Sequence, residues 1–183
     1  AARRIGYTSI SHDLVFGLPH QQLDSMRHTI EKTASLAPDR LAFYSYAHVP
    51  WMRPGQRKFT EKDLPVNEEK RKLYETGLEL FQRAGYKDVG LDHFALKSDP
   101  LFISMKEKKL HRNFMGYTTQ HTSLLLGLGV SSISDAGVAF AQNEKALHDY
   151  YKRIEREEIP VMRGYFLSEE DVAFRKYILD VSC

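Results

Sequence analysis

Short apolar runs alternating with helix-length amphipathic stretches constrain this chain more than any other feature. Asp13-Leu-Val-Phe-Gly17 is an apolar run ending in Gly17-Leu18-Pro19, the pattern of a buried parallel strand feeding a loop. Over residues 23–37, Leu23, Met26, Ile30 and Ala34 recur on one helical face, and Pro38-Asp39 breaks the segment. Leu41-Ala-Phe-Tyr-Ser-Tyr46 reads as a second strand. Residues 56–66 are charged and turn-rich, a long loop. Asn67-Glu68-Glu69 starts a second helix, with Leu73, Leu80, Phe81 and Ala84 inward and Gly85 as its C-terminal cap. Tyr86-Lys-Asp-Val-Gly-Leu91 is a third strand, entering Asp92-His93-Phe94-Ala95. Strand, helix, strand, helix, strand at this spacing predicts repeated β-α units on a parallel sheet, and hence an α/β fold class.

The later residues are less regular. Ser98-Asp99-Pro100 marks a helix start with proline in the first turn, carrying Leu101 and Met105 to about Lys109. A short strand is expected over 130–134, an amphipathic helix over 143–156 and a strand-like connection over 163–167. Ser168 with Asp171 forms a capping box that opens the last helix. The sequence stops at Cys183 inside an apolar-periodic helix with no stop signal, so the chain reads as a piece of a longer protein.

Chemistry concentrates in His111-Arg-Asn-Phe-Met-Gly-Tyr-Thr-Thr-Gln120. Two cations and two aromatics crowd around Gly116 with little aliphatic bulk. Such a segment is too polar for a core strand and too aromatic for an idle loop. Cationic donors interleaved with aromatic faces suit a flat, acidic, partly apolar ligand. Gly127-Leu-Gly129-Val-Ser131-Ser132 follows, a turn whose backbone allows close approach. Ligands of parallel sheets bind beyond the carboxyl ends of strands. Those ends carry Gly17-Leu-Pro-His20-Gln21, Tyr46-Ala47-His48 and Asp92-His93-Phe94. Asp13 reads either as a solvated residue at a strand start or as an acceptor for a ribose hydroxyl pair.

Composition excludes several classes. A formal charge of +2, from 26 basic and 24 acidic residues, gives no global pull toward nucleic acid. No stretch is long and apolar enough for a membrane span. The one cysteine, Cys183, permits no intrachain disulfide and points to a reducing, cytoplasmic setting. None of the eight histidines has a zinc-type spacing, so no metal ligands are assigned. Gly127-x-Gly129 lacks the third glycine of a dinucleotide fingerprint, and no serine nucleophile elbow is present.

Five segments occur together, in order: Asp13-Leu-Val-Phe-Gly-Leu-Pro-His-Gln21, Tyr44-Ser-Tyr-Ala-His-Val-Pro50, Asp92-His-Phe-Ala95, the 111–120 segment, and Leu126-Gly-Leu-Gly-Val-Ser-Ser-Ile-Ser134. With them the chain resembles the bacterial oxygen-independent coproporphyrinogen III oxidases, radical S-adenosylmethionine enzymes of haem synthesis. The resemblance covers nearly the whole chain, and the 111–120 segment separates the oxidases from a related haem-chaperone branch.

It implies the second half of a partial (β/α)6 TIM-like barrel over residues 1–97, and over 98–183 the start of an additional C-terminal α/β region associated with substrate. In the family a [4Fe-4S] cluster on a CxxxCxxC motif cleaves S-adenosylmethionine. The resulting radical removes hydrogen from two propionates of coproporphyrinogen III, each of which loses CO2 to become a vinyl group. Carried over by position, Asp13 bonds the cofactor's ribose, Val15 and Gly17 lie on the adenosine-flanking strand, and the main chain of Tyr44 and Ala47 meets adenine. Met115 and Ile133 fall near a second S-adenosylmethionine or the substrate, and Arg112 and Tyr117 are assigned to substrate. Met115 departs from the best-known form, which has glutamine there; a thioether cannot donate the hydrogen bonds of an amide. No catalytic residue is assigned.

The cluster cysteines precede residue 1 in the family, so the chain alone is expected to be inactive and to need, in its longer form, an electron donor. Two other readings are a haem-binding chaperone ligating iron through His20, His48 or His111, and a metal-dependent hydrolase built on Asp92, His93 and His111.

Overall fold

The apolar side chains of the first hundred residues segregate to one side of a small sheet. In the computed structural model, which describes all 183 residues, β1 (Ser11–Phe16) pairs parallel with β2 (Arg40–Ser45) through α1 (Leu23–Ser35). Alternation along β1 sends Leu14 and Phe16 to one face, where Leu41 and Phe43 of β2 join them. Onto that face pack Met26 and Ile30 of α1, and Leu73 and Phe81 of α2 (Asn67–Arg83). The aromatic rings interlock: Phe43 stands edge-on to Phe81 at 5.2 Å and lies 4.7 Å from Phe16. Tyr86 closes the core, its hydroxyl donating to the Pro38 carbonyl at 2.7 Å.

Helix boundaries follow local chemistry. Gly85 takes the left-handed conformation just past α2, as its place in the sequence requires. At α3 (Pro100–Lys106), the Asp99 carboxylate accepts the Leu101 N–H at 2.7 Å. The same buried carboxylate pairs with Arg40 at 3.0 Å, tying the start of α3 to the start of β2. Residues 56–66 are not a plain loop, since short 3-10 turns occupy Pro54–Lys58 and Glu61–Asp63.

A fourth strand departs from a simple β-α repeat. After β3 (Lys87–Gly90), Gly90 and Leu91 both adopt positive φ, and the chain reverses into β4 (His93–Ala95). β4 inserts antiparallel between β2 and β3, giving the order β1-β2-β4-β3. The helix α2 still links β2 to β3, which runs in the direction the β-α repeat predicts; the tight reversal after it adds β4 as an antiparallel strand between them.

The chain divides into two compact units, residues 1–108 and 109–183. The second holds a hairpin of β5 (His111–Asn113) and β6 (Gly116–Thr118). It also holds an antiparallel sheet of β7 (Ile133–Asp135), β8 (Ala139–Asn143) and β9 (Val161–Phe166). The strand expected over 130–134 is shifted to β7, and β8 takes the start of the stretch expected as helix. That helix, α4, runs only from Leu147 to Ile154. α5 (Glu169–Ser182) opens with both bonds of the Ser168–Asp171 capping box in place.

Candidate functional site

One face of the first unit's sheet carries the core, and the opposite face carries the polar candidates. Register places Asp13 beside Ala42 and Ala42 beside His93, a row across three strands. Val15 and Tyr44 are direct partners in the next row on the same face. The strand begins at Ser11, so Asp13 lies within β1 and is not a frayed end residue. Its carboxylate is exposed, Val15 is also open to solvent, and the Tyr44 ring stands edge-on to His93 at 6.2 Å. A carboxylate, an apolar side chain and an aromatic ring therefore share the sheet face turned away from Phe16, Phe43 and Phe94.

The carboxyl ends of β1 and β2 lie side by side, held by Gln21 and by two side chains that the sequence does not single out, Lys70 and Gln56. Lys70 of α2 crosses Gly17 and donates to the Tyr46 carbonyl at 3.1 Å. Gly17 has φ +81°, a conformation that favours glycine, whereas the Lys70 Cε that a Cβ would approach at 2.8 Å is near the end of a flexible side chain able to shift. Gln21 accepts the Gly17 N–H at 2.7 Å. Gln56 clamps the outgoing chain, accepting from Val49 N at 2.6 Å and donating to the Ala47 carbonyl at 3.2 Å. Nothing in the sequence pattern singles out Lys70 or Gln56, because their partners are main-chain atoms of distant residues.

An open cavity of about 680 Å³ lies elsewhere in this unit, lined by His20, Gln21, Leu23, Lys62, Asp63 and Lys72 among others. Neither Asp13 nor Tyr44 borders it. Its charges are mixed, and hydrogen bonds from Thr60 hold the Asp63 carboxyl below its usual range.

In the second unit the 111–120 segment forms the β5–β6 hairpin. Arg112 and Tyr117 are cross-strand partners, with the guanidinium 5.6 Å from the ring centroid. The Tyr117 hydroxyl donates to the Ser182 carbonyl at the end of α5. Phe114 and Met115 form the tip; Met115 is 79% exposed, while Phe114 meets Phe140 edge-on at 5.0 Å. The segment is polar enough to avoid a core, yet regular enough to pair with itself.

Ile133 lies in the separate sheet, against the glycine turn. A Cβ on Gly127 would come within 2.7 Å of the Ile133 carbonyl oxygen, so that glycine's open side is filled by protein backbone. The buried Asn143 side chain fastens the turn, donating to the carbonyls of Gly127 at 3.1 Å and Gly129 at 2.9 Å. Behind it, Arg175 of α5 grips Asp135 through two bonds of 2.8 and 2.7 Å. Burial alone would raise the Asp135 carboxyl, but Arg175 and the Gly137 N–H outweigh it and hold it below the usual range. His111 is pushed below its ordinary value by burial, then by the nearby His121 and Arg175.

The histidines do not assemble a metal centre: no three histidine, cysteine or carboxylate side chains gather as ligands. His48 bonds Tyr46 at 3.3 Å, His111 packs 4.5 Å from His121, and His20 lies 3.8 Å from Asp63. Cys183, the single cysteine, is exposed, so a three-thiolate cluster site is not built from these residues. No helix is long and apolar enough to cross a membrane.

This mixed α/β fold is similar to part of a solved radical SAM enzyme. The solved structure of Escherichia coli coproporphyrinogen III oxidase, described as such an enzyme, superposes with a TM-score of 0.92 at 41% identity, covering 100% of this chain and 42% of that one. The particular relatives agree with the motif resemblance. The chain is 43% identical to the oxygen-independent coproporphyrinogen III oxidase of Synechocystis and 41% identical to that of Escherichia coli K12. It is 42% identical to the anaerobic coproporphyrinogen III oxidase 1 of Cereibacter sphaeroides. These matches take in 99% to 100% of the chain but only 39% to 40% of each relative's length. No family model matches.

Proposed function

We propose that this chain is part of an oxygen-independent coproporphyrinogen III oxidase, which converts two propionates of coproporphyrinogen III to vinyls and yields protoporphyrinogen IX in haem synthesis. The observation that carries this reading is the face of β1, β2 and β4 turned away from the aromatic cluster, which presents Asp13, Val15 and Tyr44 together. That face fits the adenosine part of S-adenosylmethionine: two carboxylate oxygens for a ribose diol beside apolar and aromatic surface. When bound, the cofactor supplies the radical that takes hydrogen from a propionate.

In this reading residues 1–97 are the second half of a partial (β/α)6 barrel, and 98–183 begin an additional α/β region associated with substrate. Asp13 accepts from the ribose hydroxyls, Val15 flanks the adenosine, and Gly17 keeps the strand end open for it. The main chain of Tyr44 and Ala47 meets adenine; Gln56 already holds the Ala47 carbonyl, leaving the N–H for the ring. Met115 and Ile133 border a second cofactor molecule or the substrate, and Met115 contributes contact area there without amide donors. Arg112 pairs with a propionate, with Tyr117 beside it.

The [4Fe-4S] cluster does not fit the residues present, because one cysteine cannot supply its thiolates. Cluster ligation and the contact with an electron donor are assigned to the rest of a longer, cytoplasmic polypeptide, and the chain alone is expected to turn over no substrate. In the full-length protein, Asp13→Ala should weaken S-adenosylmethionine binding roughly tenfold, the loss of hydrogen bonds to a charged group. Because Asp13 is exposed, stability should change little. Unchanged cofactor affinity by calorimetry would remove Asp13 from the site.

A further inference from the structure

Building on the reading above, we infer that Tyr117 is a positioning residue for Arg112, and that its hydroxyl is not a substrate donor. Three observations in the second unit carry this. The Tyr117 hydroxyl is committed to the main-chain carbonyl of Ser182, clipping the β5–β6 hairpin to the end of α5. Its ring lies under the Arg112 guanidinium at 5.6 Å, on the directly paired strand. Arg112 itself is half-buried, packs its guanidinium on an aromatic face and enters no ion pair with a carboxylate of the chain.

A carboxylate ligand depends on how that guanidinium is oriented. A guanidinium binds carboxylate through two parallel N–H donors, and a long side chain free to rotate loses entropy on binding. Stacking on an anchored ring removes part of that cost beforehand. The anchor is in turn braced. α5 is fixed to β7 through Arg175–Asp135 and to the Gly137 carbonyl at 3.3 Å, so the carbonyl that receives Tyr117 belongs to a secured helix. The ligand class is a carboxylate attached to a flat macrocycle, with Arg112 making the contact and Tyr117 acting through it.

The test uses the full-length protein and two probes, coproporphyrin III and its tetramethyl ester, with binding read by porphyrin fluorescence. Arg112→Ala should weaken the free acid roughly tenfold or more, as for a charged hydrogen bond. Tyr117→Phe, which keeps the ring, should weaken it about threefold. The double variant should be no weaker than Arg112→Ala alone, and the ester should bind all four proteins alike. Kinetically, Tyr117→Phe should raise KM for coproporphyrinogen III with kcat retained. Effects that multiply in the double variant, equal losses for acid and ester, or unchanged acid binding in Tyr117→Phe would overturn the inference. Absence of turnover alongside the expected binding pattern would instead sink the oxidase reading and leave the carboxylate site standing.

Discussion

The two units of this chain are stabilised by different physics. In the first, Phe43, Phe81 and Phe94 are fully buried within one continuous apolar cluster. In the second, Leu110 is the only buried hydrophobic residue, and α4 and α5 bury none. Its order comes instead from polar side-chain bonds: Asn143 to the carbonyls of the glycine turn, Arg175 to the Asp135 carboxylate and the Gly137 carbonyl, Tyr117 to the Ser182 carbonyl. Phe174, Tyr177, Ile178 and Val181 of α5 stay largely exposed. A hydrophobic core is non-directional and tolerates modest change, whereas a polar framework depends on each partner having the right geometry.

The largest effect should come from the core. Phe43→Ala is expected to cost about 3–5 kcal/mol in denaturant unfolding, since the void would be walled by rigid aromatic neighbours. The contrast between the units breaks if Phe140→Ala, at the half-buried aromatic contact of the second unit, costs as much. Next, Gly127→Ala drives a methyl into the Ile133 backbone and should destabilise the second unit by about 1–3 kcal/mol. Faster amide exchange in β7 and β8 with protection unchanged in β1 and β2 is the expected signature; exchange that rises equally in both would show the units to be one cooperative block.

The smallest effect is pH-dependent and sharpens the same contrast. His111 has a folded pKa below its ordinary value of ~6.5, so its contribution to stability is complete above that value and is lost as pH falls through the folded one. Asp135 is likewise depressed, so its contribution is present above the usual carboxylate range and is lost at still lower pH. Thermal melts should show the second unit weakening first on acidification, and His111→Asn should abolish the upper step. Retention of that step in the variant would assign it to another group.

Much of the fold was legible because periodicity reports burial directly. The apolar pattern located β1, β2, α1 and α2, Gly85 and Asp99 marked helix ends through their own conformational and capping chemistry, and the 168–171 box opened α5 as read. The direction of β4 was not legible, because it follows from two positive-φ residues between strands too short to show a period. β8 was missed for a similar reason: Ala139–Asn143 alternates little and is half-buried on both faces.

For the candidate site, the sequence offered residues by type and by resemblance, and left their commitments open. Asp13, Arg112 and Tyr117 stand out by type and setting, but sequence cannot say that the Tyr117 hydroxyl is spent on Ser182. Nor can it say that Gly127 makes room for Ile133, or that Lys70 and Gln56 hold the strand ends. By itself the sequence determined β1, β2, α1, α2 and the start of α5 and which of their residues face the apolar cluster, since these depend on neighbours a few positions away. Tertiary structure alone decided the direction of β4, the Asp13–Ala42–His93 row and the anchors of the hairpin, because hydrogen-bonding partners dozens of residues apart leave no periodic trace in the chain.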